Sequence, residues 1–490
     1  MKPFKFAKLK DRFQKFVFLG FYLFPLFLIL SFNFSLYAQP KDKDFKVLPD
    51  WLGEFKKLDE TELKNKREGW YLTGLPLFGN DAVSGTGLGA LANFIYNGTK
   101  EDTSFEYTPY EHLISVGLYR TSKNAQTYYV SWDAPYFLDT AYRIKSDVYY
   151  DSNLFNQYFG IGKESMRPLS YLERNEEGGR LVRNAEFSDF ESANSYARNR
   201  AGKDWVSTQR YHEYQFETVG SNFSLDKTVL QVFRIWSGVE FSRNIVRRYD
   251  GTWTKAREPL TEVMLPVQEA PSKLTEDSKS GKIIGLDGGY LNYIRAGIAY
   301  DTRDYEPDPD SGWLIEYNVS KAEKSIGSNF SYYRHFGQIK NFYQPFPKYF
   351  KEFVIAQRVA LTKAVGELPF FDYRYMVSID GAFEGVGGVS TLRGYRQERF
   401  YGPVMGFYNI EFRFRVADFQ LWDSFFQVSV VPFYDIAQVW DKIREINAQG
   451  YKHSRGLGLR LIWDQATVIL MDYAVSKEDK LFYIDIGHIF

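Results

Sequence analysis

The chain has 490 residues, and its 61 Lys and Arg residues balance its 61 Asp and Glu residues, so the formal net charge is zero. It contains no cysteine, which excludes disulfide bonds and a cysteine-linked lipid anchor. Because no chain-wide basic excess exists, the composition argues against a nucleic-acid partner.

The N-terminal residues have the order of a secretory signal peptide. A basic stretch precedes an apolar run from Phe16 to Leu30, and the cleavage site is predicted after Leu36-Tyr37-Ala38. We therefore predict a signal peptide at residues 1–38, with an uncleaved membrane anchor as the alternative. After Ala38 there is no apolar run of about 18 residues, so no further transmembrane helix is predicted.

The rest of the chain divides into a short polar segment and a long β-rich region. Residues 39–68 are too few for a stable domain, and we predict a short periplasmic N-terminal segment there. Residues 69–490 show strand-like segments separated by polar residues, without a convincing amphipathic helix. We predict sixteen strands, centred on Tyr71, Ala92, Val116, Val130, Ser146, Phe216, Ile235, Gly297, Tyr317, Tyr333, Gln357, Ile410, Val430, Leu459, Leu470 and Ile484.

The strand-like segments have one apolar face and one polar face. Between Pro403 and Val416, for example, Ile410 lies on an apolar face and Glu411 on a polar face. A soluble β-sandwich also alternates in this way, and the pattern alone does not tell which face is buried. Export, an aromatic content of 18% and the charges on the polar faces favour an all-β, antiparallel transmembrane barrel in a bacterial outer membrane.

An even number of strands places both ends of a barrel on the periplasmic side. Links after odd strands are then extracellular and long, and links after even strands are short turns. We predict long links at residues 153–206, 250–290 and 366–402, after strands five, seven and eleven. The links at 122–125 and 138–140 flank strand four and are both short, so one of them departs from the rule.

The most specific stretch lies in the third long link. Residues 387–400 have the sequence GGVSTLRGYRQERF and lead directly into the next strand. This stretch resembles the bacterial surface antigen family, which includes outer-membrane protein assembly factors and two-partner secretion transporters. The Arg-Gly-Phe or Arg-Gly-Tyr loop tip of that family is matched within the motif Leu392, Arg393, Gly394, Tyr395 and Arg396. Segments 158–162, 300–304, 433–437 and 487–490 are similar to further family motifs, although Ala437 replaces the usual glycine.

The resemblance implies that this link folds back into the lumen of the barrel. It also implies that Arg393 contacts acidic residues on strands twelve and thirteen, which by position are Glu411 and Asp435. The sequence supports the pairing independently, because Glu411 lies on a polar face and a buried guanidinium requires a carboxylate. Gly394 would allow a sharp turn of the backbone. On spacing alone, the alternative is that Arg393 is an ordinary exposed loop residue.

The first and last strands of a barrel meet at a seam. The first strand contains Gly74 and Pro76, and proline cannot donate a hydrogen bond to a β-ladder. We therefore predict a weakly paired seam that involves Gly74, Pro76 and the C-terminal Phe490. In relatives a weak seam acts as a lateral gate, and the alternative is a bulge that only shapes the barrel.

The resemblance does not extend to the periplasmic POTRA domains of assembly factors and transporters, because only about 30 residues are available for such domains. We predict that the protein assists polypeptide insertion or passage, with outer-membrane lipid, client polypeptides and the barrel-assembly machinery as partners. The alternatives are a passive or selective pore, using polar faces around Arg295, Arg413, Arg415 and Arg460, and a surface-exposed structural antigen. The five histidines lack metal-ligand spacing, so no metal, cofactor or enzymatic activity is predicted.

Overall fold

The computed structural model describes residues 48–58, 60–81, 85–173, 180–200, 204–464 and 466–490. The predicted signal peptide at 1–38 and the following residues 39–47 lie outside the described residues. Within them the α-helices are α1 (Glu60–Asn65), α2 (Phe187–Asn194) and α3 (Lys273–Lys279). No helix in these ranges is long and apolar enough to cross a membrane. Single turns of 3-10 helix lie at Glu54–Lys56, Thr103–Glu106, Phe137–Asp139, Gly162–Glu164, Lys324–Ile326, Phe370–Asp372 and Ile443–Glu445.

Sixteen strands form one antiparallel sheet in which each strand pairs with the next along the chain. All sixteen predicted centres fall within these strands, one in each, which confirms the predicted sixteen-stranded, all-β barrel. The strands are β1 (Trp70–Asp81), β2 (Gly85–Tyr96), β3 (His112–Thr121), β4 (Gln126–Ala134), β5 (Tyr142–Gln157), β6 (Glu213–Val229), β7 (Phe233–Arg248), β8 (Gly288–Asp301), β9 (Gly312–Ala322), β10 (Tyr332–Tyr343), β11 (Phe353–Gly366), β12 (Val404–Leu421), β13 (Ser424–Trp440), β14 (Lys452–Trp463), β15 (Thr467–Val475) and β16 (Lys480–Ile486).

The polar face of the sheet is the buried one. In β12, Glu411 is completely buried, whereas Val416 on the opposite face is 59% exposed. In β8, Arg295 is 2% exposed and its neighbour Ile294 is 51% exposed. A soluble sandwich would bury its apolar face instead. This inverted pattern is that of a barrel whose charged face lines the lumen and whose apolar face contacts lipid.

The three long links follow odd-numbered strands, as the strand count predicts. They occupy residues 158–212 after β5, 249–287 after β7 and 367–403 after β11, so the first begins later than expected because β5 extends to Gln157. Short strands add three small sheets in these links. Ser170–Glu173 pairs with Arg180–Arg183, Tyr375–Val377 pairs with Ala382–Glu384, and Ala197–Arg200, Asp204–Ser207, Met264–Glu269 and Trp253–Arg257 form a four-stranded sheet.

The predicted rule that links after even strands are short is wrong at β2, which is followed by residues 97–111. This link is long because it packs against the residues before β1. The backbone N–H of Leu58 donates to the carbonyl of Glu106 at 2.9 Å. The buried Lys66 ammonium donates to the carbonyls of Phe105 and Thr108, both at 2.5 Å.

Residues 50–58 and 60–69, which we call the N-terminal cap, lie at the end of the barrel that carries the links after even-numbered strands. Burial lowers the pKa of Lys66 in this cap to about 7. Three other side chains of the cap each contact a different link that follows an even-numbered strand. Trp51 lies 4.8 Å from the Tyr136 ring after β4, Lys56 lies 4.0 Å from Glu306 after β8, and Arg67 lies 3.4 Å from Asp464 after β14.

Candidate functional site

The link between β11 and β12 folds into the lumen and carries the predicted motif at its tip. The backbone N–H of Val386 donates to the carbonyl of Phe400 at 2.8 Å, and the reverse bond measures 2.9 Å. Closer to the tip, the N–H of Gly388 donates to the carbonyl of Tyr395 at 3.0 Å. Leu392 belongs to the main buried cluster, so apolar packing holds the tip inside the barrel.

Arg393 is completely buried at this tip. Its Nε and Nη2 atoms donate to the two carboxylate oxygens of Asp435 at 2.8 and 2.9 Å, and its Nη1 atom donates to Glu411 at 2.8 Å. The guanidinium carbon lies 3.4 Å from the centre of the Phe433 ring. The structure thus brings together the three charged residues that the sequence analysis paired. The two-point contact with Asp435 uses the planar fork that distinguishes arginine from lysine.

Three further charged residues complete the cluster. Arg393 also donates to Asp472 at 2.7 Å, and Arg460 donates to Glu411 at 2.9 Å and to Asp472 at 2.5 Å. Arg413 donates to Glu411 at 3.0 Å. Three cations therefore offset three carboxylates, which limits the cost of burying them. We call this set the buried charge network, and it consists of Arg393, Arg413, Arg460, Glu411, Asp435 and Asp472.

Asp472 was not predicted as a site residue, and Arg413 and Arg460 were predicted only as part of a pore wall. A lone carboxylate on an otherwise apolar strand was an available signal, because such a group needs a partner. Finding that partner requires the register of β14 and β15, in which Gly458 lies opposite Asp472. A Cβ atom on Gly458 would lie 2.0 Å from the Asp472 carboxylate, so the glycine makes room for the pair with Arg460.

Gly394 and Tyr395 fit the tip against the end of the barrel sheet. Gly394 has a φ of +82°, and a Cβ atom there would lie 3.1 Å from the backbone of Val475. Its N–H donates to the hydroxyl of Tyr483 at 2.9 Å. The ring of Tyr395 packs on Phe400 with 5.3 Å between centroids. Both the backbone conformation and the close approach therefore favour glycine at position 394.

Arg396 lies outside the buried charge network although it belongs to the same motif. It donates to Asp479, in the link after β15, at 2.8 Å, and it lies 4.5 Å from the ring of Phe187 in α2. Its neighbour Arg399 is buried and donates to Glu478 at 2.8 Å. The two arginines connect the base of the loop to the extracellular links, a contact that the sequence analysis did not predict.

The seam is not closed by backbone pairing among the described residues, since β1 pairs with β2 and β16 pairs with β15. Gly74 and Pro76 lie in β1, opposite residues of β2. Strand β16 has seven residues against twelve in β1. Part of β1 therefore faces β15, where the hydroxyl oxygens of Thr73 and Thr467 are 2.7 Å apart.

Phe490 does not lie at the seam, and this prediction is wrong. Strand β16 ends at Ile486, and Gly487 has a φ of +93°, which turns the last residues away from the strand and into the lumen. The Phe490 ring packs against Phe342 with 6.2 Å between centroids, and its carbonyl accepts a hydrogen bond from Arg413 at 3.1 Å.

The C-terminal tail is also held by His488. Its Nε2 atom lies 2.7 Å from a carboxylate oxygen of Asp308, which in turn accepts a hydrogen bond from Arg415 at 3.3 Å. Burial and the nearby Arg413 lower the pKa of His488. The Asp308 carboxylate acts as the acceptor, so the His488 Nε2 atom donates the hydrogen bond between them.

The match to a protein-family model agrees with this architecture. Residues 111–490 match the model of the Omp85 superfamily domain, and residues 48–111 match a domain of unknown function, DUF5982. Comparison with curated proteins gives no match. The solved structures similar to this chain include BamA from Haemophilus ducreyi lacking POTRA domains 1-3, at 13% identity over 86% of this chain and 69% of that chain, with a TM-score of 0.45. They also include CdiB from Escherichia coli, at 8% identity over 85% of this chain and 61% of that chain, with a TM-score of 0.45. CdiB from Acinetobacter baumannii matches at 8% identity over 86% of this chain and 60% of that chain, with a TM-score of 0.41.

Proposed function

The chain belongs to the Omp85 superfamily of outer-membrane β-barrels, and from this premise we propose that it assists the insertion or passage of polypeptides at the bacterial outer membrane. Its partners in this proposal are outer-membrane lipid, client polypeptides and the barrel-assembly machinery. The proposal assigns no catalytic residue and no cofactor. The work on the client is mechanical, since a strand or a chain segment enters where the barrel wall is weakest.

The observation that carries the proposal is the contrast between the seam and the wall beside it. The neighbouring pair β1 and β2 is in register over twelve residue pairs. Between β1 and β16 no backbone pairing is present in the part of the chain that the structure describes. Beyond β16, the buried charge network fastens the luminal loop to β12–β15. A weak edge beside a rigid wall can accept an incoming strand, because unpaired edges are templates for β-pairing.

A disulfide across the seam tests the proposal. The protein has no cysteine, so the double variant Thr73→Cys/Thr467→Cys contains a single pair at positions whose hydroxyl oxygens are 2.7 Å apart. The matched control is Asn93→Cys/Ser115→Cys, which bridges β2 and β3 where the two side chains are also 2.7 Å apart. We expect the oxidised seam variant to lose the ability to insert an unfolded outer-membrane barrel into proteoliposomes. Reduction should restore it, and the control should stay active in both states.

Undiminished insertion by the oxidised seam variant would contradict a role for seam opening. A passive pore is the second candidate function, and the observation that favours it is a luminal cavity of about 1180 Å³ between the loop and the barrel wall. If the protein is a passive pore, the oxidised seam variant and the oxidised control should conduct ions equally in planar bilayers. Neither of them should insert a client. The same two proteins therefore distinguish the candidates.

A further inference from the structure

We propose that the N-terminal cap is a lid on the periplasmic end of the lumen and that a chain of buried ion pairs couples this lid to the luminal loop. Release of the cap then loosens the loop, and the two together control whether water-soluble molecules reach the luminal cavity from the periplasm. The inference goes beyond the proposed function and does not depend on client insertion.

The cap closes one end of the barrel together with the links after β2, β4 and β8. The space between them has a volume of about 20 Å³, and Lys56, Tyr107, Tyr136 and Glu306 are among the residues that line it. Such a volume holds about one water molecule. Asp226 lines both this space and the luminal cavity of about 1180 Å³, so the cavity begins directly behind the cap. A molecule that approaches from the periplasm therefore meets the cap first.

Buried ion pairs lead from the cap into the lumen. Lys56, which is 6% exposed, lies 4.0 Å from Glu306, and Glu306 accepts a hydrogen bond from Arg234 at 3.4 Å. Arg234 also donates to Asp301 at 3.1 Å. Asp301 accepts two hydrogen bonds of 2.9 Å from Arg303. The charges alternate in sign along this route, and its three inner members, Arg234, Asp301 and Arg303, are at most 4% exposed.

The far end of the route is Asp380, in the turn of a hairpin of the luminal loop. The hairpin strands are Tyr375–Val377 and Ala382–Glu384. Arg303 donates to the two carboxylate oxygens of Asp380 at 3.2 and 3.3 Å, and Lys340 of β10 pairs with the same carboxylate. The cap and the hairpin are thus the two ends of one ion-pair chain, which consists of Lys56, Glu306, Arg234, Asp301, Arg303 and Asp380.

The chain couples its ends because each inner residue serves two partners. Arg234 bridges Glu306 and Asp301, and Arg303 bridges Asp301 and Asp380. A buried charge that loses a partner is costly, so a shift of one member favours a shift of the next. Displacement of the cap therefore weakens the hold of Arg303 on the hairpin.

The link after β4 indicates that the closed arrangement depends on contact with the cap. Tyr136, Leu138 and Asp139 have φ values of +51°, +54° and +56°, in the left-handed region that residues other than glycine rarely adopt. The Tyr136 ring lies 4.8 Å from the ring of Trp51 in the cap. Backbone strain of this kind persists only where surrounding contacts hold it. Loss of the cap contact therefore favours relaxation of the link away from the entrance.

A single cysteine in the cavity measures access, since the chain has no cysteine of its own. Ser224→Cys places a thiol on the cavity wall, where a charged methanethiosulfonate reagent can modify it in the folded full-length protein. We expect Lys56→Glu to raise the modification rate about tenfold or more, because it places a negative charge beside Glu306. Lys56→Gln, which removes the charge without reversing it, should give a smaller rise. The matched control is Lys64→Glu, which makes the same charge change at an exposed position of the cap.

A spin label on Ala382→Cys, in the otherwise cysteine-free chain, measures the coupling. This exposed hairpin residue lines the cavity. We expect Lys56→Glu to increase the mobility of the label. In the Arg303→Met background the chain is cut before Asp380, while Lys340 still holds the hairpin, so Lys56→Glu should cause no further change. Heat-modifiable migration on semi-native gels shows that each variant is folded.

An unchanged modification rate in folded Lys56→Glu protein would overturn the inference, because the cavity would then be reached by another route. An equal rise in the Lys64→Glu control would overturn it as well. Unchanged label mobility, or a mobility change that persists in the Arg303→Met background, would contradict coupling through the ion-pair chain. Faster modification with a label response that requires Arg303 supports both parts. None of these readouts involves the seam or a client.

Discussion

Replacing Arg393 by methionine is the most direct test of the buried charge network. The change removes one of three cations and leaves Glu411, Asp435 and Asp472 with two arginines, so the cluster gains a net negative charge inside the barrel. Arg393 makes five hydrogen bonds to these three carboxylates, one of them from its backbone N–H. The substitution keeps an unbranched side chain of similar length, so its effect reports mainly the lost charge and hydrogen bonds.

The expected magnitude follows from burial. Removing one partner of a buried ion pair costs about 3–5 kcal/mol, and this site is completely buried on both sides of each contact. At roughly 2 °C per kcal/mol, the lower end of the range for large proteins, the unfolding temperature in detergent should fall by about 6–10 °C. The double variant Arg393→Met/Asp435→Asn again balances the cluster, and it should recover part of this loss.

Thermal unfolding followed by heat-modifiable migration on semi-native gels measures the effect. The matched control is Arg396→Met, three positions along the same loop, whose ion pair with Asp479 is about 20% exposed on both sides. A partly exposed pair contributes about 1 kcal/mol or less, so the control should shift the transition by about 2 °C or less. Equal shifts for the two variants would refute the reasoning, because buried and peripheral arginines would then contribute alike.

Two further predictions concern the ends of the chain. The pKa of Lys66 falls from 10.5 to about 7 in the folded protein, so the unfolded state holds the proton more readily between these values. Docking of the N-terminal cap should therefore strengthen as pH rises from about 7 toward 10.5. The wild-type cap should then be cleaved more slowly by a protease, so the ratio of the Lys66→Met cleavage rate to the wild-type rate should increase over that range. A constant ratio would contradict this prediction. Phe490→Ala should destabilise the barrel by about 3 kcal/mol in denaturant titrations, because the ring is buried against Phe342. Phe482→Ala, a lipid-facing control that is 62% exposed, should cost less, and equal losses would argue against a luminal tail.

The strands could be predicted from the sequence because their pattern is local. An apolar residue such as Ile294 next to a charged residue such as Arg295 defines the two faces of β8 without any knowledge of its neighbours. Which face is buried is not local information, and export together with the charges on the polar face decided it correctly. The predicted link length was wrong where a tertiary contact intervened. The link at residues 97–111 is long because Lys66 and Leu58 pack on it, and nothing within the link itself indicates this.

The candidate site was predictable where one side chain required another. The loop tip and its partners Glu411 and Asp435 follow from a motif and from the need of a buried guanidinium for carboxylates. The role of Asp472 depends on the register of β14 and β15. The path of Phe490 depends on one backbone angle at Gly487. Register and single-residue reversals do not appear in a periodic pattern, so these features required the structure.

Among the described residues, contacts across the seam lie at one end of it. They include the hydroxyl pair of Thr73 and Thr467, the ion pair of Arg67 with Asp464, and the packing of Ala466 against the cluster that contains Tyr71. Arg67 is 36% exposed, so its ion pair contributes about 1 kcal/mol or less. Two of the three contacts come from β1 itself, and the third comes from the N-terminal cap that leads into it. Under the proposed function, opening of the seam therefore begins with release of the cap end of β1, and the buried charge network keeps the adjoining wall of β12–β15 in place while it opens.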